Sequence, residues 1–115
     1  CIIPVPLHEK KLKKRGYNQL TTFGKRLSQL LNVPYLETVL QRVSFTKTQT
    51  KKKRADRFQN TDSKFLLSET KPIEGLHILL IDDVVTTGAT LEACCRELQK
   101  ADGIRISIVT MAVTE

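Results

Sequence analysis

Three cysteines in 115 residues, two of them adjacent, cannot build a disulfide framework. Cys94 and Cys95 also lack metal-ligand spacing, so they read as small apolar helix residues in a reducing, cytoplasmic compartment. No apolar run is long enough to span a membrane and no signal peptide opens the sequence, so no membrane partner is expected. The glycine-rich phosphate motifs are missing as well. Gly88 is followed by Ala89 and Thr90 without a lysine, which excludes a P-loop hydrolase. No Gly-x-Gly-x-x-Gly turn follows the first strand, which excludes a dinucleotide fold. A phospho-acceptor receiver domain needs a further strand-end aspartate well after Asp82 and Asp83, and only Asp102 remains, in a helix-ending turn.

What is present is an ordinary globular composition, 27% charged and 40% hydrophobic, of a size for one domain over residues 1–115. The net charge of +7 is concentrated in Lys10, Lys11, Lys13, Lys14 and Arg15 and in Lys47, Lys51, Lys52, Lys53, Arg54 and Arg57. That balance predicts anionic partners, from phosphorylated metabolites to nucleic acid, or a soluble surface. The chain opens at Cys1, without an initiator methionine and on a strand-like stretch, so an N-terminally incomplete domain is expected.

Cys1 to Leu7 is a short β-branched run in which Pro4 and Pro6 count against a fully bonded central strand. His8 to Gly16 is basic without an apolar face, and suits either a solvated loop or an anion-binding one. Leu20, Phe23, Gly24, Leu27, Leu30 and Leu31 share one helix face, with Asn18 as N-cap and Asn32 and Pro34 at the end. Val33 to Leu36 reads as a brief second strand, which makes the opening a parallel strand–helix–strand unit. Ser44 to Gln59 has no apolar periodicity; a linker, a nucleic-acid patch and an active-site lid all fit it. No aromatic is interleaved with its Lys51–Arg54 run, as a base-stacking platform would want. Phe65 to Leu67 is a short apolar patch, and His77 reads as a surface or packed histidine. Leu91, Cys94, Cys95, Leu98 and Ala101 form a second helical stripe, and Ile104 to Val113 a last strand.

The stretch Ile78 to Thr90 organises the rest. Four apolar residues, Ile78 to Ile81, suit a strand of a parallel sheet buried on both faces. Asp82 and Asp83 follow where that strand leaves the core, and Thr86, Thr87, Gly88, Ala89 and Thr90 lead into a helix. In open sheets ligands bind beyond the carboxyl ends of the strands. A phosphate there would meet unpaired backbone N–H groups and threonine hydroxyls. The two aspartates could accept sugar hydroxyls, or hold Mg²⁺ through oxygen.

This order, apolar strand, Asp-Asp, Val-Val-Thr-Thr-Gly-Ala-Thr, resembles the signature of type I phosphoribosyltransferases. The rest resembles the competence protein F (ComF) branch, related to amidophosphoribosyltransferase. Its opening is matched by Pro4 to His8 and by Arg15-Gly16-Tyr17-Asn18-Gln19, its middle by Arg42, Thr46, Gln49, Arg57, Asn60 and Phe65. Ser44 and Lys52 depart from the pattern, and of the upstream zinc-binding cysteine segment usual in the family Cys1 is the one candidate remnant here. The resemblance implies an α/β fold, a mostly parallel central sheet with flanking helices. It implies transfer of the 5-phosphoribosyl group from 5-phosphoribosyl-1-diphosphate (PRPP) to a nitrogen nucleophile, with Mg²⁺ as cofactor, a reaction of nucleotide metabolism. Val85, Thr86, Thr87, Gly88, Ala89 and Thr90 would bind the 5-phosphate. Leu7, His8 and Arg15 would meet the diphosphate, and Asp82 and Asp83 the ribose and the metal. The implied catalytic set is Asp82, Asp83 and, from a flexible loop over residues 44–59, Lys51 and Arg54. A homodimer and an association with competence machinery or DNA are compatible with the resemblance. The alternative from another class is a non-catalytic PRPP-binding or DNA-uptake module of the same fold.

Overall fold

The computed structural model describes residues 1–6, 19–44 and 63–114. Strand β1 (Ile2–Pro4) and helix α1 (Gln19–Leu31) open the fold, followed by β2 (Leu40–Ser44) and β3 (Ser63–Leu67). A short 3-10 turn (Lys71–Ile73) leads to β4 (His77–Val85), helix α2 (Ala89–Leu98) and β5 (Arg105–Val113). Strands β1, β4 and β5 form a parallel sheet with β4 in the centre, and β2 pairs antiparallel with β3. This is the α/β class with parallel sheet that the sequence led us to expect.

Strand β4 is central because its side chains are apolar on both faces. Ile78 and Leu80 enter a core with Ile3, Val5, Leu40, Phe65, Leu91, Cys94 and Leu98. Ile81 turns the other way, against Ile2 and Leu20 of α1. Each side chain of this size contributes about 1.5–3 kcal/mol when taken fully out of water. Pro4 is tolerated in β1 because alternate N–H groups point to opposite sides of a strand. Ile2 donates away from β4, to the Pro34 carbonyl at 2.9 Å, and Val5 donates to Ile81 at 2.8 Å. The nitrogen of Pro4 shares the side of Ile2, so the ladder to β4 loses no donor.

Helix α1 ends as a Schellman turn. Asn32 is left-handed, φ 54°, and Val33 donates back to the Ser28 carbonyl at 3.1 Å. Leu20 and Gly24 are buried and Phe23 and Leu27 pack beside them, but Leu30 and Leu31 are exposed, beyond the reach of the sheet.

Three expectations are corrected. Val33 to Leu36 forms no strand, only an isolated parallel bridge between Tyr35 and Ile2. The run starts two residues past a helix end, and Pro34 can donate nothing to a ladder. Ser44 closes β2 instead of opening a loop, because it pairs with Ser63. Strand β4 continues through the acidic pair to Val85. Strand β5 forms as expected and is largely exposed along its apolar run: Ile108 is 48% and Val113 69% exposed. It pairs with β4 on one side only among the described residues. No helix among these residues is long and apolar enough to cross a membrane.

Candidate functional site

Three elements converge at the carboxyl end of β4. The strand is tied down at its last residue, where the Val85 carbonyl accepts the Thr114 N–H at 3.0 Å. Thr86, Thr87 and Gly88 then turn the chain into α2. Gly88 is the N-cap of that helix in a left-handed conformation, φ 84°. A Cβ built there meets nothing within 4 Å, so backbone conformation, not space, calls for glycine. An L side chain in that region costs about 1–2 kcal/mol. Thr87 Oγ1 accepts the Ala89 N–H at 3.3 Å, and the first helical bond runs from Glu92 N–H to the Gly88 carbonyl at 2.9 Å.

The turn encloses one side of a polar cavity of about 40 Å³, lined by Val84 to Leu91 and by Asp82. Since a water needs about 10–15 Å³ on this scale, the space holds roughly three water-sized groups, the size of one phosphate. The first turn of a helix directs N–H groups and a partial positive charge toward such a site. Glu92, in that turn, would repel an anion, but its Oε1 is held by Arg96 at 2.5 Å.

All six residues expected at the phosphate, Val85 to Thr90, line this one cavity, and Asp82 joins them. Asp83 is half-buried and does not line it, because neighbours along a strand point to opposite sides. Each aspartate turns one oxygen onto the next backbone N–H: Asp82 Oδ1 accepts from Asp83 at 2.8 Å, Asp83 Oδ1 from Val84 at 2.7 Å. Leu7, His8, Arg15, Lys51 and Arg54, and most of the 44–59 segment, lie outside the described residues. His77 stands at the opposite end of β4, exposed, with Nε2 2.7 Å from Ser107 Oγ.

Cys94 is fully buried beneath the site. Burial first, then the Asp82 charge and neighbouring Cys95, push its thiol up to about 12, with Arg42 opposing weakly. It is packed in the core, as its place in the helical stripe implied. Two features were not anticipated. Leu91 lines the cavity as well as the core. Glu97 is buried, although its position one step round the helix from Cys94 was a signal available in the helical period.

The sequence profile of the phosphoribosyl transferase domain matches residues 21–113. The chain belongs to that family. Among curated relatives it is similar to competence protein F of Haemophilus influenzae, 39% identical over 101 residues, 87% of this chain and 44% of that protein. Competence protein ComFC of Bacillus subtilis is 32% identical over 113 residues, 96% of this chain and 43% of that protein. DNA utilization protein YhgH of Escherichia coli K12 is 33% identical over 90 residues, 78% of this chain and 39% of that protein. The chain thus spans about two fifths of the length of these relatives. In this phosphoribosyl transferase domain the polar cavity falls inside the matched region, and β1 lies outside it.

Proposed function

We propose that this domain binds PRPP at the end of β4 and transfers its 5-phosphoribosyl group to a nitrogen nucleophile, releasing diphosphate. The observation that carries the reading is the single cavity in which Asp82 meets the whole Val85–Thr90 turn. The 5-phosphate sits against the turn, held by backbone N–H groups and threonine hydroxyls. The bond from C1 to the diphosphate oxygen breaks as the bond from C1 to nitrogen forms, and the nucleophile gives up a proton. Positive charge grows on the sugar and negative charge on the leaving group. Carboxylates of Asp82 and Asp83 near the ribose favour the first. Lys51 and Arg54, with Leu7, His8 and Arg15 beside the diphosphate, serve the second.

Mg²⁺ fits this donor set. It takes hard oxygen ligands, keeps several waters, and is habitually held by one or two carboxylates together with phosphates. Among the described residues no group of three or more acidic, His or Cys side chains assembles a cage of its own; Asp82, the carboxylate that lines the cavity, would hold the ion together with oxygens of the substrate and water. When bound, it would neutralise charge developing on the diphosphate.

Titration of the protein with PRPP and Mg²⁺, coupled to a diphosphate-release assay with ammonia or amines, tests the reading. Saturable binding with release supports it, and an absence of PRPP binding discards it. A second reading is favoured by the names of the relatives, which speak of competence and DNA utilization. In it the fold binds PRPP or a nucleotide without transfer and serves DNA uptake. Binding without diphosphate release, or steeply salt-dependent DNA binding that PRPP competes poorly, would select that alternative.

A further inference from the structure

Glu97 is the single buried charged side chain among the described residues, 7% exposed. A carboxylate removed from water is costly unless it is paired and hydrogen-bonded. Its Oε1 accepts the backbone N–H of Leu67 at 3.1 Å and the Lys100 ammonium at 3.0 Å, and its Oε2 lies 2.9 Å from the same ammonium. The Lys100 side chain is 59% exposed, so solvent screens that pair and it explains little of the burial. The bond to Leu67 differs in kind, because it joins α2 to β3 across the fold.

Leu67 is the last residue of β3 and pairs with Leu40 of β2. A two-stranded ribbon is marginal by itself and needs a surface to pack on. Leu40 and Phe65 supply apolar contact with the core, and the Ser68 N–H closes the hairpin base onto the Val39 carbonyl at 2.8 Å. The described polar link to α2 is Glu97. Helix α2 begins at the Gly88 turn, and Glu97 lies about 13 Å further along that rigid element. One helix therefore carries the cavity at one end and the hairpin's anchor toward the other.

We propose that Glu97 is a positioning residue: through the Leu67 N–H it fixes the β2–β3 hairpin on the helix that starts at the phosphate turn. The role of that turn rests on the PRPP reading, while the anchor rests on the Glu97–Leu67 geometry alone. The test is hydrogen exchange of the described strands in the wild-type protein, Glu97→Gln and Glu97→Leu, with PRPP titration of the wild type in parallel. Glu97→Gln keeps an acceptor for Leu67 while losing the charge, and its hairpin exchange is expected to match the wild type. Glu97→Leu keeps the bulk and removes the acceptor, so hairpin amides, Leu67 above all, are expected to exchange about 10-fold faster. Amides of β1 and β4 should stay near their wild-type rates. Unchanged hairpin exchange in Glu97→Leu, an equal rise in β1 and β4, or Glu97→Gln behaving like Glu97→Leu overturns the proposal. A wild-type protein that ignores PRPP removes the phosphate assignment only, because the exchange rates judge the anchor independently.

Discussion

Two adjacent carboxylates on one strand cannot occupy the same surroundings, and Asp82 and Asp83 differ accordingly. Asp82 faces the cavity and its charge is felt by Cys94, whereas Asp83 looks elsewhere and holds the Val84 N–H. Asp82→Asn is expected to lower phosphoribosyl transfer at least ~10-fold in a steady-state assay, the scale of one lost electrostatic contact. The same loss is expected for Asp83→Asn, whose carboxylate the family resemblance assigns to the ribose; a full rate with either variant removes that residue from the reaction. For Cys94 the shift is upward from 9.0 to about 12, so the neutral thiol is the form the fold favours. Native protein at pH 8 should therefore resist iodoacetamide at Cys94, and urea-unfolded protein should not, as peptide mapping can show. Because the folded value is the higher one, stabilisation from this thiol is complete below about pH 9 and disappears as pH climbs toward 12.

At the scale of elements, close approach explains a residue that propensity alone would disfavour. Gly24 sits mid-helix in α1, where glycine weakens a helix by about 0.5–1 kcal/mol relative to alanine. A Cβ at that position would run into the Tyr35 ring and come within 2.8 Å of Ile81 Cδ1, just before Asp82. Gly24→Ala should thus destabilise by about 1–3 kcal/mol in urea denaturation, against the helix-propensity gain. A neutral or stabilised variant would mean that α1 shifts freely on the sheet. Both helices, β4 and the turn after it were legible in the sequence, because helical period, an apolar quartet and a small-residue turn are local signals. The β2–β3 pairing was not, because Leu40–Ser44 and Ser63–Leu67 lie on either side of residues 45–62 and neither alternates cleanly. Glu97 also escaped, since a charged residue on a helix is ordinarily read as solvated until its backbone partner is known.

For the molecule as a whole, the six-residue Val85–Thr90 stretch was visible as a string, but its union with Asp82 in one cavity depended on strand alternation, which composition cannot show. The exposure of β5 was hidden for a similar reason. An apolar run states what a strand can bury, and says nothing of what lies against it. After Arg105 that strand carries no charge to discourage edge-to-edge pairing. Met111→Lys is expected to leave the unfolding free energy within about 0.5 kcal/mol, as at other exposed sites, and to reduce light scattering of concentrated solutions. A large destabilisation would show that Met111 is covered in solution. The parallel register Ile2↔Leu79 has its own outcome in time. During synthesis the first strand must wait for the central one to leave the ribosome, which at about 5–20 residues per second means several seconds. A sheet closed by such distant partners forms late and slowly, so β1 stays without its ladder partner, and open to a holdase chaperone, until β4 has emerged.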